Sequence, residues 1–352
     1  MGAHHKAKAA ALCGWTALAL LLAPAGRGDE APFSPAELRA VLSLGPWPAP
    51  DGNDASNRVS GRAEAIEFGE RLFFDPRLSA SGKFACATCH VPERNWTDNR
   101  TRGAAVAEVD RNTPTLMNAR LGKRFGWDGA ADSLWAQSRR PILDARELGS
   151  SARLAADLVR NDEQLACRYR TSFGAAPSAT DDEAVLTDIA KALAAFVETL
   201  SSPATPFDRF RDALARGEPV RPWSYSEAAL RGLRTFVGKG GCTACHNGPN
   251  FSDGGLHDNG FSVLAAAGRG DPGKDGKFKV PTLRHLLLTA PYGHHGELGT
   301  LSDVVRHYSE RGGGEVKPLH LSAAEQSDLV VFLESVSTMA NPWRPDDGWR
   351  CR

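Results

Sequence analysis

Apolar positions along the chain recur mostly at three- and four-residue spacing, the period of a helix with one buried face. Leu230, Leu233 and Phe236 repeat this way behind Ser224 to Glu227, and Leu329, Phe332 and Leu333 repeat behind Ser322 to Glu325. Both polar quartets read as capping boxes, as does Ser34-Pro35-Ala36-Glu37, where proline takes the first helical position. No sustained alternation of apolar and polar residues predicts a large sheet, so the expected fold is mainly α. Between the helices lie long loops rich in Gly, Pro and Asp, notably Asn247 to Gly276. Loops of that length do not suit a compact helical bundle unless something besides side chains fills the core.

The stretch Ser201 to Trp223 carries Pro203, Pro206, Pro219 and Pro222 and is the best linker by composition. It divides the chain into an expected signal peptide (1–25), an N-terminal unit (26–205) and a C-terminal unit (206–352). The signal rests on His4, His5, Lys6 and Lys8, then the apolar run Ala9 to Leu22 and the small-residue site Ala23-Pro24-Ala25. The run is short for a membrane-spanning helix, so export to the periplasm with cleavage is expected, and no membrane span in the mature protein. Lysine plus arginine balance aspartate plus glutamate at 42 each, with no basic run, which points away from a nucleic-acid partner.

Seven cysteines sort by position. Cys13 leaves with the signal. Cys86-Ala87-Thr88-Cys89-His90 and Cys242-Thr243-Ala244-Cys245-His246 repeat the C-x-x-C-H attachment signature of a c-type haem, in which two thiols bond the porphyrin and the histidine ligates iron. Cys167 and Cys351 remain, and an oxidising compartment would allow a disulfide between them. A redox dithiol or half a zinc site can also use C-x-x-C, but no βαβ pattern and no further ligands at zinc spacing surround Cys86. One covalent haem in each half is therefore expected. What faces the other side of each iron decides between electron transfer and oxidant chemistry.

No histidine lies between His90 and His246, and beyond the initiator the only methionines are Met117 and Met339, both read as core filler. His257, His285, His294, His295, His307 and His320 all follow the second motif. The first iron is thus expected to be open. Splitting peroxide there needs a group that moves a proton between its oxygens, and Glu93, Asp98, Glu108, Asp110, Asp128 and Glu147 all lie in the right half.

The ordered segments "RLFFDPRLSASGKFACATCH", "RNTPTLMNA", "FGWDGAADSLWAQSRRPILDARELG", "CTACHNGPNFSD", "KVPTLRHLLLTAPYGHHG" and "TLSDVVRHY" resemble the bacterial dihaem cytochrome c peroxidase and MauG superfamily, from about Phe68 to Leu333. The resemblance implies two cytochrome c-like helical domains with long loops, each with one covalent haem. It puts the inter-haem tryptophan at Trp127, the pocket glutamine at Gln137, the pocket proline at Pro141 and the catalytic glutamate at Glu147. It also implies a calcium ion held by the Asn112 side chain and the carbonyls of Thr289 and Pro291, hard oxygen ligands suited to that ion.

Two departures from ordinary peroxidases match the MauG type. The interval from Val91 to Gly126 lacks their distal histidine, and Tyr308 stands where they ligate the second haem with methionine. A phenolate stabilises oxidised iron better than a thioether does. Within the MauG type the segment around Trp127 looks most similar to MbnH-like enzymes. That implies an enzyme using hydrogen peroxide to form a bis-ferryl state and to oxidise a residue, a tryptophan converted to kynurenine, on a periplasmic protein substrate of the MbnP-like, copper-handling kind. Gly240 replaces the tryptophan that MauG uses as an exit for the hole; Trp223, Trp343 and Trp349 are alternatives. A detoxifying peroxidase fed by a small cytochrome c or cupredoxin is the second reading. A pure electron-transfer cytochrome with two closed haems is the third.

Overall fold

The computed structural model describes residue 1 and residues 33–50, 52–218, 225–261, 276–338 and 351. The expected signal peptide with Cys13, and Pro219, Pro222, Trp223, Ser224, Met339, Trp343 and Trp349, lie outside the described residues. Among the described residues the α-helices, in chain order, are α1 (Pro35–Ser43), α2 (Ala63–Phe73), α3 (Cys86–Cys89), α4 (Leu134–Leu143), α5 (Ala152–Asn161), α6 (Glu163–Phe173), α7 (Asp182–Glu198), α8 (Pro206–Ala215), α9 (Glu227–Val237), α10 (Leu301–Glu310) and α11 (Ala323–Ser335). Strands β1 (Leu256–His257) and β2 (Phe278–Lys279) form the one named sheet among the described residues, an antiparallel pair. No described helix is long and apolar enough to cross a membrane.

The reciprocal capping boxes at Ser34–Glu37 and Ser322–Glu325 form as the sequence predicts. The third helix starts later than expected. Ser226, not Ser224, caps α9, because its hydroxyl accepts from Ala229 N. The proline-rich linker reading is also corrected: α8 lies inside it, with Pro206 at its first position and a Thr205–Asp208 capping box. Phe207 and Phe210 of α8 are buried core residues.

Two apolar clusters organise the molecule. One gathers α2 and α4 to α7 around Phe68, Leu72, Phe196 and Ile189; the other gathers α8 to α11 around Phe207, Phe236, Phe251 and Phe332. Each is built on a close crossing of two helices. A Cβ on Gly69 of α2 would collide with the Ala192 carbonyl of α7, and a Cβ on Gly232 of α9 would collide with the Asp328 carbonyl of α11. Glycine at each crossing lets the backbones touch. Met117 is buried in the first cluster as core filler.

The chain ends cross over. Helix α1 belongs by sequence to the 26–205 unit, yet Phe33, Val41 and Leu44 are buried in the second cluster. At the other end Cys351 forms a disulfide with Cys167 of α6, in the first half, over a Cα–Cα distance of 6.0 Å. The four motif cysteines are unpaired.

Arg284, fully buried, makes two hydrogen bonds of 2.9 Å to the Asp208 carboxylate, donates to the Pro249 carbonyl and lies 3.6 Å over the Trp47 ring. Burial alone would push the Asp208 carboxyl up, but Arg284 and Thr205 outweigh it and hold it below the ordinary value. Asp208→Ala strands a buried guanidinium and is expected to cost about 3–5 kcal/mol, read as a lower urea midpoint. Because the folded pKa is depressed, this contribution is full above the unfolded carboxylate pKa and is lost as pH falls through the folded value. A midpoint that did not move would mean that Arg284 finds other partners.

Candidate active site around the two C-x-x-C-H motifs

The first motif forms the single turn α3, with His90 as its C-cap. Burial pushes the Cys86 thiol up to about 12 and the Cys89 thiol up to about 11. Redox dithiols and zinc thiolates need the opposite shift. His90 Nδ1 lies 3.0 Å from the Trp96 carbonyl, and burial lowers the imidazole pKa. A neutral ring that donates from Nδ1 presents the Nε2 lone pair, the form required of an iron ligand. Trp96 supplies that carbonyl from a left-handed backbone (φ 61°) while its ring packs against Phe73, Phe74 and Phe196.

The second motif repeats the device. His246 Nδ1 lies 2.9 Å from the Phe251 carbonyl, burial lowers its pKa, and burial pushes the Cys242 thiol up to about 12.

A cavity of about 430 Å³ opens beside the first motif, within the range of cofactor pockets. Cys86, Cys89 and His90 line it together with Trp127, Gln137, Pro141 and Glu147, so the side chains named from sequence border one cavity. Asp110 and Asp128, also left open by the sequence, line it too, whereas Glu93, Asp98 and Glu108 are not among its lining residues. Ser252, Asp253 and Lys279 to Thr282 close it from the other half. Burial, then the neighbouring Asp144 charge, raises the Glu147 pKa. Gln137 Oε1 accepts from Arg140 Nη1 at 3.3 Å, and Arg140 also faces Asp128. Pro141 sits inside α4, where it has no N–H and no donor atom to offer the cavity.

Trp127 stands between the halves. Its Nε1–H donates to the Asn112 carbonyl at 2.8 Å, and its own carbonyl accepts from Lys279 N. Asn112 in turn donates its N–H to the His294 carbonyl and its side-chain amide to the Arg100 carbonyl. The Asn99 amide takes the carbonyls of Leu288 and Ala290, which alternate with Thr289 and Pro291. The structure thus ties Asn112 to the loop that follows Pro291.

Tyr308 is carried by α10, and burial pushes its phenol up to about 12. Its hydroxyl accepts from Asn259 Nδ2 at 3.3 Å, and its ring lies 5.7 Å from Phe261. Asn259 carries no motif, so sequence reasoning passed over it. Lys279 was also missed, although it heads one of the recognised segments. It lines the cavity, and burial pulls its ammonium down to about 8.

The sequence suggested no repeat beyond the two motifs, but the structure contains one. Phe125 bridges Ala131, and 167 positions later Tyr292 bridges Leu298. The same offset relates left-handed Asn118 to His285, Gly126 and Gly129 to Gly293 and Gly296, and the capping Ser133 to Thr300. It places Pro141 of α4 in register with Tyr308 of α10, and Trp127 with His294. One half therefore has a proline where the other has a buried phenol.

Residues 63–215 match the model of the family described as di-haem cytochrome c peroxidase. The chain is 38% identical to the methylamine utilization protein MauG of Methylorubrum extorquens, over 78% of each chain. It is 33% identical to the cytochrome c551 peroxidase of Nitrosomonas europaea, over 84% of this chain and 89% of that one. Among solved structures, a MauG-like protein associated with microbial copper homeostasis aligns with a TM-score of 0.68 at 26% identity, covering 86% of this chain and 99% of the other. The diheme peroxidase BthA of Burkholderia thailandensis aligns with a TM-score of 0.67 at 20% identity, over 83% of this chain and 88% of that one, a likeness of fold. The mainly helical fold, the paired cytochrome c-like halves and these relatives give one conclusion: the chain belongs to the di-haem cytochrome c peroxidase and MauG family and is a haem-dependent oxidoreductase of the peroxidase type.

Proposed function

We propose that this protein is a periplasmic enzyme of the MauG type that takes two oxidising equivalents from each hydrogen peroxide and delivers them to a residue of a partner protein, a tryptophan whose conversion to kynurenine, a four-electron oxidation that releases one ring carbon as formate on hydrolysis, consumes two peroxides. The contrast between Pro141 and Tyr308 at corresponding positions carries the reading. At this position one half offers no donor atom, which would leave a site for peroxide. The other offers a phenol oxygen.

Cys86, Cys89 and His90 would hold the first haem, and Cys242, Cys245, His246 and Tyr308 the second. When bound, these haems supply the iron that accepts peroxide and stores its oxidising equivalents. Glu147 takes the proton from the inner peroxide oxygen and returns it to the outer one, a task served by its raised pKa. Gln137, held by Arg140, orients the same oxygen atoms. Trp127, fixed by Asn112, bridges the halves as the electron relay. Asn112 is tied to His294, three residues after Pro291, and the Asn112 side chain with the Thr289 and Pro291 carbonyls would offer the hard oxygens that suit calcium, which would pin the Trp127 support. The association of the MauG-like neighbour with microbial copper homeostasis fits a copper-handling partner, and the resemblance around Trp127 implies the MbnP-like kind. The likeness to cytochrome c551 peroxidase supports the alternative, peroxide removal with electrons from a small cytochrome c or cupredoxin.

Optical and EPR spectra of the ferric protein, before and after one equivalent of peroxide, test the reading. One high-spin and one low-spin haem, giving a long-lived product with near-infrared absorption, are expected. Two low-spin haems that ignore peroxide would refute it, while rapid turnover with a small donor protein would favour the alternative. Trp127→Phe should leave the rate of the peroxide reaction within about two-fold and remove the near-infrared band, since the phenyl ring is far harder to oxidise. An undiminished band would count against the relay.

A further inference from the structure

The loop after Tyr292 carries three donor side chains that the proposed reaction does not use. Hydrogen bonds between Tyr292 and Leu298 in both directions close it. Inside, one donor atom each from His294, His295 and Glu297 lie within 4.8 Å of one another. His294 is only 2% exposed, and neither its Nε2 nor Glu297 Oε1 has a hydrogen-bond partner in the protein. These two atoms face each other at 3.7 Å. That is too long for a hydrogen bond but close to the separation of about 3.4 Å between two ligands on one tetrahedral ion with bonds of about 2.0–2.2 Å.

The loop is built to hold them there. The His294 ring stacks on Phe278 at 3.5 Å, which fixes its plane. Gly293, at φ 92°, leaves space for the Glu297 carboxylate to fold back, and a Cβ there would collide with Oε2. Oε2 also accepts from His295 N, so Oε1 is the free oxygen. His295 directs Nδ1 at the Asp110 carbonyl, and its Nε2 lies 3.3 Å from Arg111 Nη1. Arg111 and Arg102 place positive charge near Glu297, so an ion binds only as the Arg111 guanidinium turns away from His295.

We propose that His294, His295 and Glu297 form a site for a divalent first-row transition ion of the zinc class. Two imidazoles and one carboxylate select such an ion over calcium or magnesium, which take oxygen ligands. The site is therefore chemically distinct from the all-oxygen calcium position around Asn112. It lies beside Trp127, whose ring centroid is 6.4 Å from that of His294.

The test uses the protein with both haems in place. It is stripped on chelating resin, kept in calcium-containing buffer, given one equivalent of zinc chloride and passed through gel filtration. Metal analysis is expected to find about one zinc per chain. In competition with a chromophoric chelator, Glu297→Gln and His295→Gln should each weaken zinc at least about ten-fold, with haem content and the ferric spectrum unchanged. If one variant does not fold, the other decides. Failure of the unmodified protein to retain zinc, or equal affinity in the variants, overturns the site. The readout is metal content, so it stands apart from any failure of the peroxide reaction.

Discussion

Glu147→Gln is expected to slow the reaction of the ferric protein with hydrogen peroxide by about 10²–10⁴-fold, the usual worth of a positioned general base, while both haems stay attached. The amide keeps the shape of the side chain in the cavity and loses only its basicity. The same residue sets the pH dependence. Its pKa is raised by burial and by Asp144, and in the proposed reaction the carboxylate form would accept the peroxide proton. The rate should therefore fall as pH drops through that raised value, at higher pH than an ordinary glutamate would give, and the step should disappear in Glu147→Gln. Stopped-flow measurement at the Soret band across pH reads both. An unchanged rate would shift the proton transfer to Asp110 or Asp128, the other acids named from sequence that line the cavity.

Tyr308→Phe is expected to convert the second haem from low-spin to high-spin in the ferric EPR spectrum, leaving two high-spin centres. Phenylalanine keeps the contact with Phe261 and removes only the oxygen. In the protein alone, burial pushes this phenol up to about 12, so a bound ferric iron has to draw the proton off for ligation at neutral pH. Asn259, already a donor to the hydroxyl, is placed to stabilise the resulting phenolate. The variant should also lose the near-infrared band, because one of the two partners in charge sharing is changed. A surviving low-spin signal would point to another ligand, and neighbouring His307, buried on the same helix, would be the residue to replace next.

Features that a few neighbouring residues determine were legible in the sequence. The capping boxes at Ser34 and Ser322 are local hydrogen bonds and formed as read. Proline misled at α8, because a residue that breaks a helix interior also starts one well, and Pro206 does the second. The internal repeat was hidden for a different reason. It is written in backbone conformation, with Asn118 and His285 sharing a left-handed φ that their side chains do not announce. The spacing also drifts, since the two C-x-x-C-H motifs lie 156 positions apart and the bridged loops 167. Among the side chains gathered at the first cavity, Glu147 and Trp127 were reachable through the family's motifs. Lys279, on the same cavity, and His294, away from it, lie inside a recognised segment yet carry no signal of their own there, and Asn259 carries no motif, because each acquires its setting from residues distant in sequence.

The crossing of the chain ends has a consequence for proteolysis. A protease that cut once between α7 and α8 would sever the covalent path between the halves, yet helix α1 would remain buried in the second cluster and Cys351 would remain bonded to α6. On a denaturing gel the nicked protein should migrate as one species without reductant and as two fragments with it. Even in reductant, the α1 packing should delay separation until denaturant is added. Each half is thus held by the other's tail, like two hands gripping opposite wrists, and the contact between the halves is protected from a break in the chain that joins them.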